Sequence, residues 1–378
     1  MRLIVITNLM LLFTICCWAG NLYSGSDAVI SSELIFQQSD VPFPSCHAST
    51  IVETPDGLIV AWFAGSREEQ PDVTIWLSRQ IDGKWTNPVE VAHGVQNENL
   101  RYPAWNPVLF YNDHQTILFY KVGPLPTNWW GEFLLSSDYG KSWSGPSQLP
   151  EGIFGPIRTK PILLATGELL CPSSIENDGW RVHMEFTPDM GLSWDRTDAL
   201  NSRDEVAAIQ PTIFVHREGQ LQILCRTRNN YIYSSWSSDN GRSWTKLLPI
   251  KLPNPNSGID GLTMKDGRQL LVYNHIGSTM DQSKRNILNV AVSDDGLNWE
   301  AAILLENDTN IDSEKTVVLD GVGLIHTDGE YSYPAVIQAG DGNVHITYTW
   351  KRESIRHVII DPSRIEPKPI IDGAWPER

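Results

Sequence analysis

The sequence predicts an all-β fold, a six-bladed β-propeller, on three observations. A motif built as Ser/Thr-x-Asp-x-Gly-x-x-Trp recurs at intervals near fifty residues. A tight polar turn leading into an apolar strand recurs out of phase with it. The 378 residues include 28 Gly, 24 Pro and 15 Trp, a composition of short strands and turns rather than helices. Such a period with two turns per unit gives about four short strands per unit. One unit cannot bury both of its faces, so copies must stack, and radial stacking closes them into a ring.

Residues 1–20 read as an address. Met1-Arg2 is a basic start, residues 3–15 are mostly apolar, and Cys17-Trp18-Ala19 offers small residues at the −3 and −1 positions of a cleavage site. This pattern predicts a secretory signal peptide and a secreted or periplasmic protein; the run is too short to favour a membrane span. Cys16 as a lipid anchor is the weaker alternative, because Phe13-Thr14-Ile15 is a poor lead-in. The propeller is expected over residues 21–365 and a C-terminal tail over 366–378, with the Pro-rich stretch from Asp361 packing on the outside.

The turn signal appears at Asp56-Gly57, Asn112-Asp113, Thr166-Gly167, Glu218-Gly219, Asp266-Gly267 and Asp341-Gly342, which argues six blades. The Asp motif appears at Ser136–Trp143, Thr187–Trp194, Ser237–Trp244 and, with Val for Ser, Val292–Trp299; Asp82-Gly83-Lys84-Trp85 is a degenerate fifth copy. The shortfall of one fits a ring in which an N-terminal strand completes the last blade. Within each motif the Asp accepts backbone N–H groups across its turn, Gly takes φ > 0, and Trp fills the gap between strands. These Asp residues are turn braces, not catalysts. Residues 306–330 form a connection long enough to be a loop insertion. Asn307-Asp308-Thr309 is a glycosylation sequon, meaningful only in a eukaryotic source.

The net charge of −16 argues against a nucleic-acid partner. Cys46, Cys171 and Cys225 are an odd number outside the signal and read as small buried hydrophobes. No His-x-x-x-His or Cys-x-x-Cys spacing occurs, so neither metal nor cofactor is expected.

The innermost strand of each blade lines the axis. Residues seven to eleven positions before each turn should therefore surround the pocket mouth: His47, Asn106, Arg158 with Lys160, Gln210, Asp260, and Tyr331 with Tyr333. The returning strands add Arg67, Lys121, Glu176, Arg226 with Arg228, and Asn274 with His275. Positions flanking buried strands are rarely so polar unless they face a cleft. Arg67, Lys121, Arg158, Lys160, Arg226, Arg228 and Arg285 concentrate positive charge there, which points to an anionic glycan as partner, since Arg grips a carboxylate bidentately. The alternative is ion pairing with Glu68, Glu69, Asp72, Glu176 or Asp260. Trp129-Trp130, Trp105 and Trp180 suit either stacking on sugars or packing between blades.

The four Asp motifs resemble those of the sialidase (neuraminidase) superfamily, over roughly residues 43–362. The resemblance implies a sialidase-like propeller and an exo-acting glycoside hydrolase that cleaves a terminal acidic sugar, sialic acid or a relative. It implies Tyr331, in Tyr331-Ser332, as nucleophile, Asp260 as the carboxylate that activates it, and Asp72 as acid/base, with Glu68 and Glu69 as rivals. A Tyr nucleophile suits an anomeric carbon that already bears a carboxylate. Of the three Arg that hold the substrate carboxylate in that family, only the third has a match, Arg285. His47 stands where the first is expected, and Tyr273-Asn274-His275 where the second is. His47 and His275 are candidate acid/base groups. His47 with Tyr331 also suits a lyase acting on uronate-containing glycans, and a carbohydrate-binding propeller without turnover is the third reading.

Overall fold

The computed structural model describes residues 26–277, 284–308, 318–319, 325–326 and 329–376. The signal-peptide reading of residues 1–20, the Cys16 alternative and most of the expected insertion at 306–330 lie outside them. No helix among the described residues is long and apolar enough to cross a membrane.

Six antiparallel sheets follow one another along the chain, one per blade. Blade 1 runs Ser45–Thr54, Gly57–Gly65, Thr74–Ile81 and Lys84–Trp85; blade 2 runs Ala104–Tyr111, Thr116–Val122, Trp130–Ser136 and Ser147–Gln148. Blade 3 is Ile162–Leu163, Leu169–Ile175, Arg181–Thr187 and Asp195–Arg196; blade 4 is Ala208–Val215, Leu221–Thr227, Tyr231–Ser237 and Leu248–Pro253. Blade 5 is Asp260–Thr263, Gln269–Tyr273, Ile287–Ser293 and Glu300–Asn307. Blade 6 takes Tyr331–Gln338, Val344–Trp350 and Ser354–Ile360 from the end of the chain and Val29–Leu34 from its start. The expected ring closure by an N-terminal strand is therefore observed. The tail turns back along the outside, where Lys368–Pro369 pairs with Glu300-Ala301 as a fifth strand of blade 5.

Each blade is buried on both faces, so its strands read as near-continuous apolar runs. Gly57–Gly65 shows how the side chains divide. Ile59, Ala61 and Phe63 pack toward blade 2, and Leu58, Val60, Trp62 and Ala64 pack toward blade 6. That is the period of two of an extended strand. The core is accordingly a ring of inter-blade clusters rather than one central mass. Cys46, Cys171 and Cys225 sit in it as buried free thiols.

The Asp motifs brace their turns as expected. The Asp138 carboxylate accepts from Lys141 N (3.1 Å), Ser142 N (2.9 Å) and Ser142 Oγ (2.6 Å). The fourth motif is one residue shorter than its sequence alignment suggested. Ser293 and Asp295, not Val292 and Asp294, make the brace, with Ser293 Oγ donating to Asp295 (3.1 Å) and accepting from Gly296 N (2.9 Å).

Candidate functional site

The innermost strands of blades 1, 2, 4 and 6 each slip register near their start, and each holds a residue with left-handed backbone there: Ala48 (φ 57°), Asn106 (37°), Gln210 (52°) and Tyr333 (50°). A bulge of this kind re-aims one side chain relative to the pleat. Ala48, Asn106, Arg158, Gln210, Gly258 and Tyr333 hold equivalent places, eight positions before Asp56, Thr166, Glu218, Asp266 and Asp341 and seven before Asp113. They bring the blades to one hub.

Tyr333 is the centre of that hub. The guanidinium carbons of Arg158, Arg226 and Arg285 lie 5.2, 5.7 and 5.5 Å from its ring centroid. The His47 ring is 4.2 Å away, centroid to centroid. Arg226 Nη1 donates to the Tyr333 hydroxyl (2.6 Å) and to Gln210 Oε1 (3.1 Å), while its Nε donates to Asn256 Oδ1 (3.0 Å). Gly258 leaves room for the ring; a Cβ there would stand 3.3 Å from it. Cation–π contacts are worth about 0.5–2 kcal/mol each, which offsets part of the cost of gathering like charges.

The charges around the hub are unevenly answered. Glu330 accepts from Arg285 Nη1 (3.2 Å), Arg352 Nε (2.8 Å) and Ser332 Oγ (2.6 Å), and Arg352 also binds Glu68. These guanidinium groups hold the Glu330 carboxyl well below the usual range against the opposing effect of burial. Arg158 donates through Nη2 to Pro334 O, but its buried Nε and Nη1 have no hydrogen-bond partner among the described residues. No carboxylate hydrogen-bonds Arg158 or Arg226 among those residues, although the two are only 2% and 7% exposed. His47 is buried, and burial together with the charge of Arg352 pushes its pKa well below the ordinary value, so the ring is neutral at pH 7. Its Nδ1 is 3.0 Å from Thr349 Oγ1.

Of the residues expected at the mouth, His47, Arg158, Arg226 and Arg285 meet at this hub. Arg228 lies over Trp180 at 3.9 Å, with Arg226 at 5.1 Å from the same ring. Arg67 is half-buried in the loop that also carries Glu68. Other expected positions need correction. Tyr331 turns away from the axis into the cluster between blades 5 and 6, and its hydroxyl donates to Asp308. Asp260 is a brace: it accepts from Lys160 Nζ (3.0 Å), Thr212 Oγ1 (2.8 Å), Gly261 N (2.9 Å) and Val336 N (3.0 Å), tying four blades together. Lys160 is consequently an ion-pair partner rather than a free cation. Asp72 is exposed and accepts from Ser66 N and Oγ, both at 2.8 Å. Lys121 is fully buried, donating to Pro156 O, with burial lowering its pKa to about 7. His275 is bound by Tyr273 and the tail at Gly373 O (2.8 Å). Trp129 packs on Trp105 and Ile157 between blades 2 and 3.

A family described as BNR repeat-like domain matches residues 56–346. No curated protein matches the sequence. Several solved structures share the fold. A protein of unknown function from Dyadobacter fermentans is 17% identical with a TM-score of 0.66, over 89% of this chain and 99% of that one. The intramolecular trans-sialidase from Ruminococcus gnavus is 13% identical with a TM-score of 0.66, over 91% and 100%. A mutant of the NanB sialidase from Streptococcus pneumoniae is 12% identical with a TM-score of 0.67, over 88% and 71%. The ring of six blades is thus a sialidase-like propeller, and the chain belongs to the BNR repeat-like domain family.

Proposed function

We propose that the chain is a secreted, exo-acting glycoside hydrolase of the sialidase type, which removes a terminal acidic sugar, sialic acid or a relative, from glycans. One observation carries this reading. Arg158 and Arg226 are buried guanidinium groups that no carboxylate hydrogen-bonds among the described residues; both lie over the Tyr333 ring, and Arg226 donates to its hydroxyl. Burying a guanidinium that no carboxylate hydrogen-bonds is expensive, so a hub of this kind suits a ligand that brings its own anion. A sugar carboxylate matches the planar fork of Arg. In this reading Tyr333, not Tyr331, is the nucleophile. Its phenol oxygen bonds to the anomeric carbon, its proton passes to the neutral His47 ring beside it, and Arg226 stabilises the developing phenolate. Gln210, which shares the Arg226 Nη1 donor with the hydroxyl, cannot serve as a base.

The test is release of a fluorophore from a panel of acidic glycosides. Tyr333→Phe should lower kcat by about 100-fold or more, on the scale of losing a catalytic group, while Tyr331→Phe keeps most of the activity. Equal activity in Tyr333→Phe would refute the nucleophile role. A neutral His47 against a tyrosine also favours a second reading, β-elimination next to a uronate carboxylate. That reaction gives an unsaturated, UV-absorbing product, which a hydrolase does not form. Saturable binding with no product would leave a carbohydrate-binding propeller.

A further inference from the structure

We propose that Arg228 is a specificity-determining residue at the rim of the hub, where it receives a second carboxylate, carried by the sugar next to the terminal acidic one. The preferred substrates are then glycans with acidic groups on adjacent sugars. The proposal rests on the hydrolase reading and names the substrate class that reading leaves open.

Arg226 and Arg228 lie on the second strand of blade 4 and its continuation. Thr227 stands opposite Ala208, and Arg228 N donates to Ala207 O (3.0 Å), so the backbone stays paired through both arginines. Residues two apart on an extended strand point to the same side, about 7 Å apart. Arg226 is buried and reaches the Tyr333 hydroxyl, whereas Arg228 is exposed. The step from one to the other leads from the hub to solvent. Trp180 holds the outer member: its ring centroid is 3.9 Å from the Arg228 guanidinium carbon and 5.1 Å from that of Arg226. Stacking uses a face of the guanidinium and leaves its in-plane N–H groups to donate. A group held in this way costs a ligand little further ordering.

The Arg228 side chain has this ring contact but no ion pair or hydrogen bond to a carboxylate among the described residues. Glu176, in the loop that carries Trp180, feels the charge of Arg226 and Arg228, but burial raises its proton affinity and makes it a poor counter-ion. Asp178, in the same loop, serves two other guanidinium groups, those of Arg181 and Arg203. Arginines thus outnumber acids around this loop, in a chain of net charge −16. A ligand whose first carboxylate meets Arg158 and Arg226 and whose second meets Arg228 matches that arrangement.

Two probes share the terminal sugar and differ in the charge of the next one: disialic acid, with a carboxylate there, and sialyllactose, with a neutral galactose. In Arg228→Gln the ratio of their kcat/KM values should fall about fivefold, the upper range for one ion pair at a solvated site. The change should lie in KM, because the second sugar is away from the bond that breaks. Arg228→Lys, which keeps the charge, should retain more of the ratio, and salt at about 0.5 M should lower the wild-type ratio. A merely structural role for the stack on Trp180 would lower both substrates alike. An unchanged ratio in Arg228→Gln would therefore overturn this proposal while turnover of sialyllactose leaves the hydrolase reading standing. Absence of turnover of both probes by the wild-type protein would overturn the hydrolase reading. Dissociation constants from calorimetry then supply the ratio, and equal ratios in wild type and Arg228→Gln would again remove Arg228 from recognition.

Discussion

Tyr333 holds a backbone angle that bulky residues rarely take, at a cost on the order of 1–3 kcal/mol. The reason lies two residues back. Tyr331 and Tyr333 would share one face of a regular strand, but the register slips between Ser332 and Ala335 and sends the two rings apart. Tyr331 enters the inter-blade cluster and Tyr333 enters the hub. A window of seven to eleven positions before each turn admits both tyrosines, and nothing local in the sequence marks the bulge. A fixed offset of eight from Asp341 selects Tyr333 alone, and the same offset recovers Arg158 and Gln210. The hub makes one prediction at this scale. An acidic monosaccharide that pairs with Arg158 should raise the unfolding temperature; at 100 times its Kd the stabilisation is about 2.7 kcal/mol. In Arg158→Met the shift should vanish. An unchanged shift, measured by calorimetry, would remove Arg158 from the binding site.

At the scale of the element, the most readable parts are those whose physics is local. The Asp motifs declare themselves because Asp, Gly and Trp each satisfy a need within one turn. Even there a one-residue deletion misled the reading of the fourth copy, where two adjacent aspartates, Asp294 and Asp295, compete for the same role. Asp138→Ala should lower the unfolding temperature by a few degrees, because four donors, Ser136 Oγ, Lys141 N, Ser142 N and Ser142 Oγ, lose their acceptor. Asp294→Ala should have no such effect. Equal effects in a thermal melt would contradict the observed register. Lys121 and Trp129 were unreadable for the opposite reason. Lys121 stands near the end of its strand and Trp129 in the loop that follows, as expected, but whether each side chain points to the cleft or to the neighbouring blade depends on Pro156 and Ile157, some thirty residues away.

The molecule as a whole was readable because six weak signals had to agree on one closed arrangement. Its histidines give it a predictable pH response. Burial lowers the pKa of His47, His216, His275 and His345. Below their unfolded value of about 6.5 the unfolded chain takes up protons that the folded chain refuses, so stability falls with pH in that range. Glu330 and the motif aspartates, whose pKa values are lowered, lose their contribution only at more acidic pH, below the ordinary carboxylate value. The unfolding temperature should therefore already be lower at pH 5.5 than at pH 7.5. A flat profile over that interval would show that these rings take up protons without cost.

The clasp in blade 6 also sets how the ring responds to a mechanical pull. Val29 sits opposite Ile360 and Leu34 opposite Arg356, so the two outer ends of the paired strands leave side by side. Tension applied there loads one rung at a time instead of shearing the whole ladder at once. Heat must melt a blade to open this circle, whereas a modest tug on those two ends would unzip it.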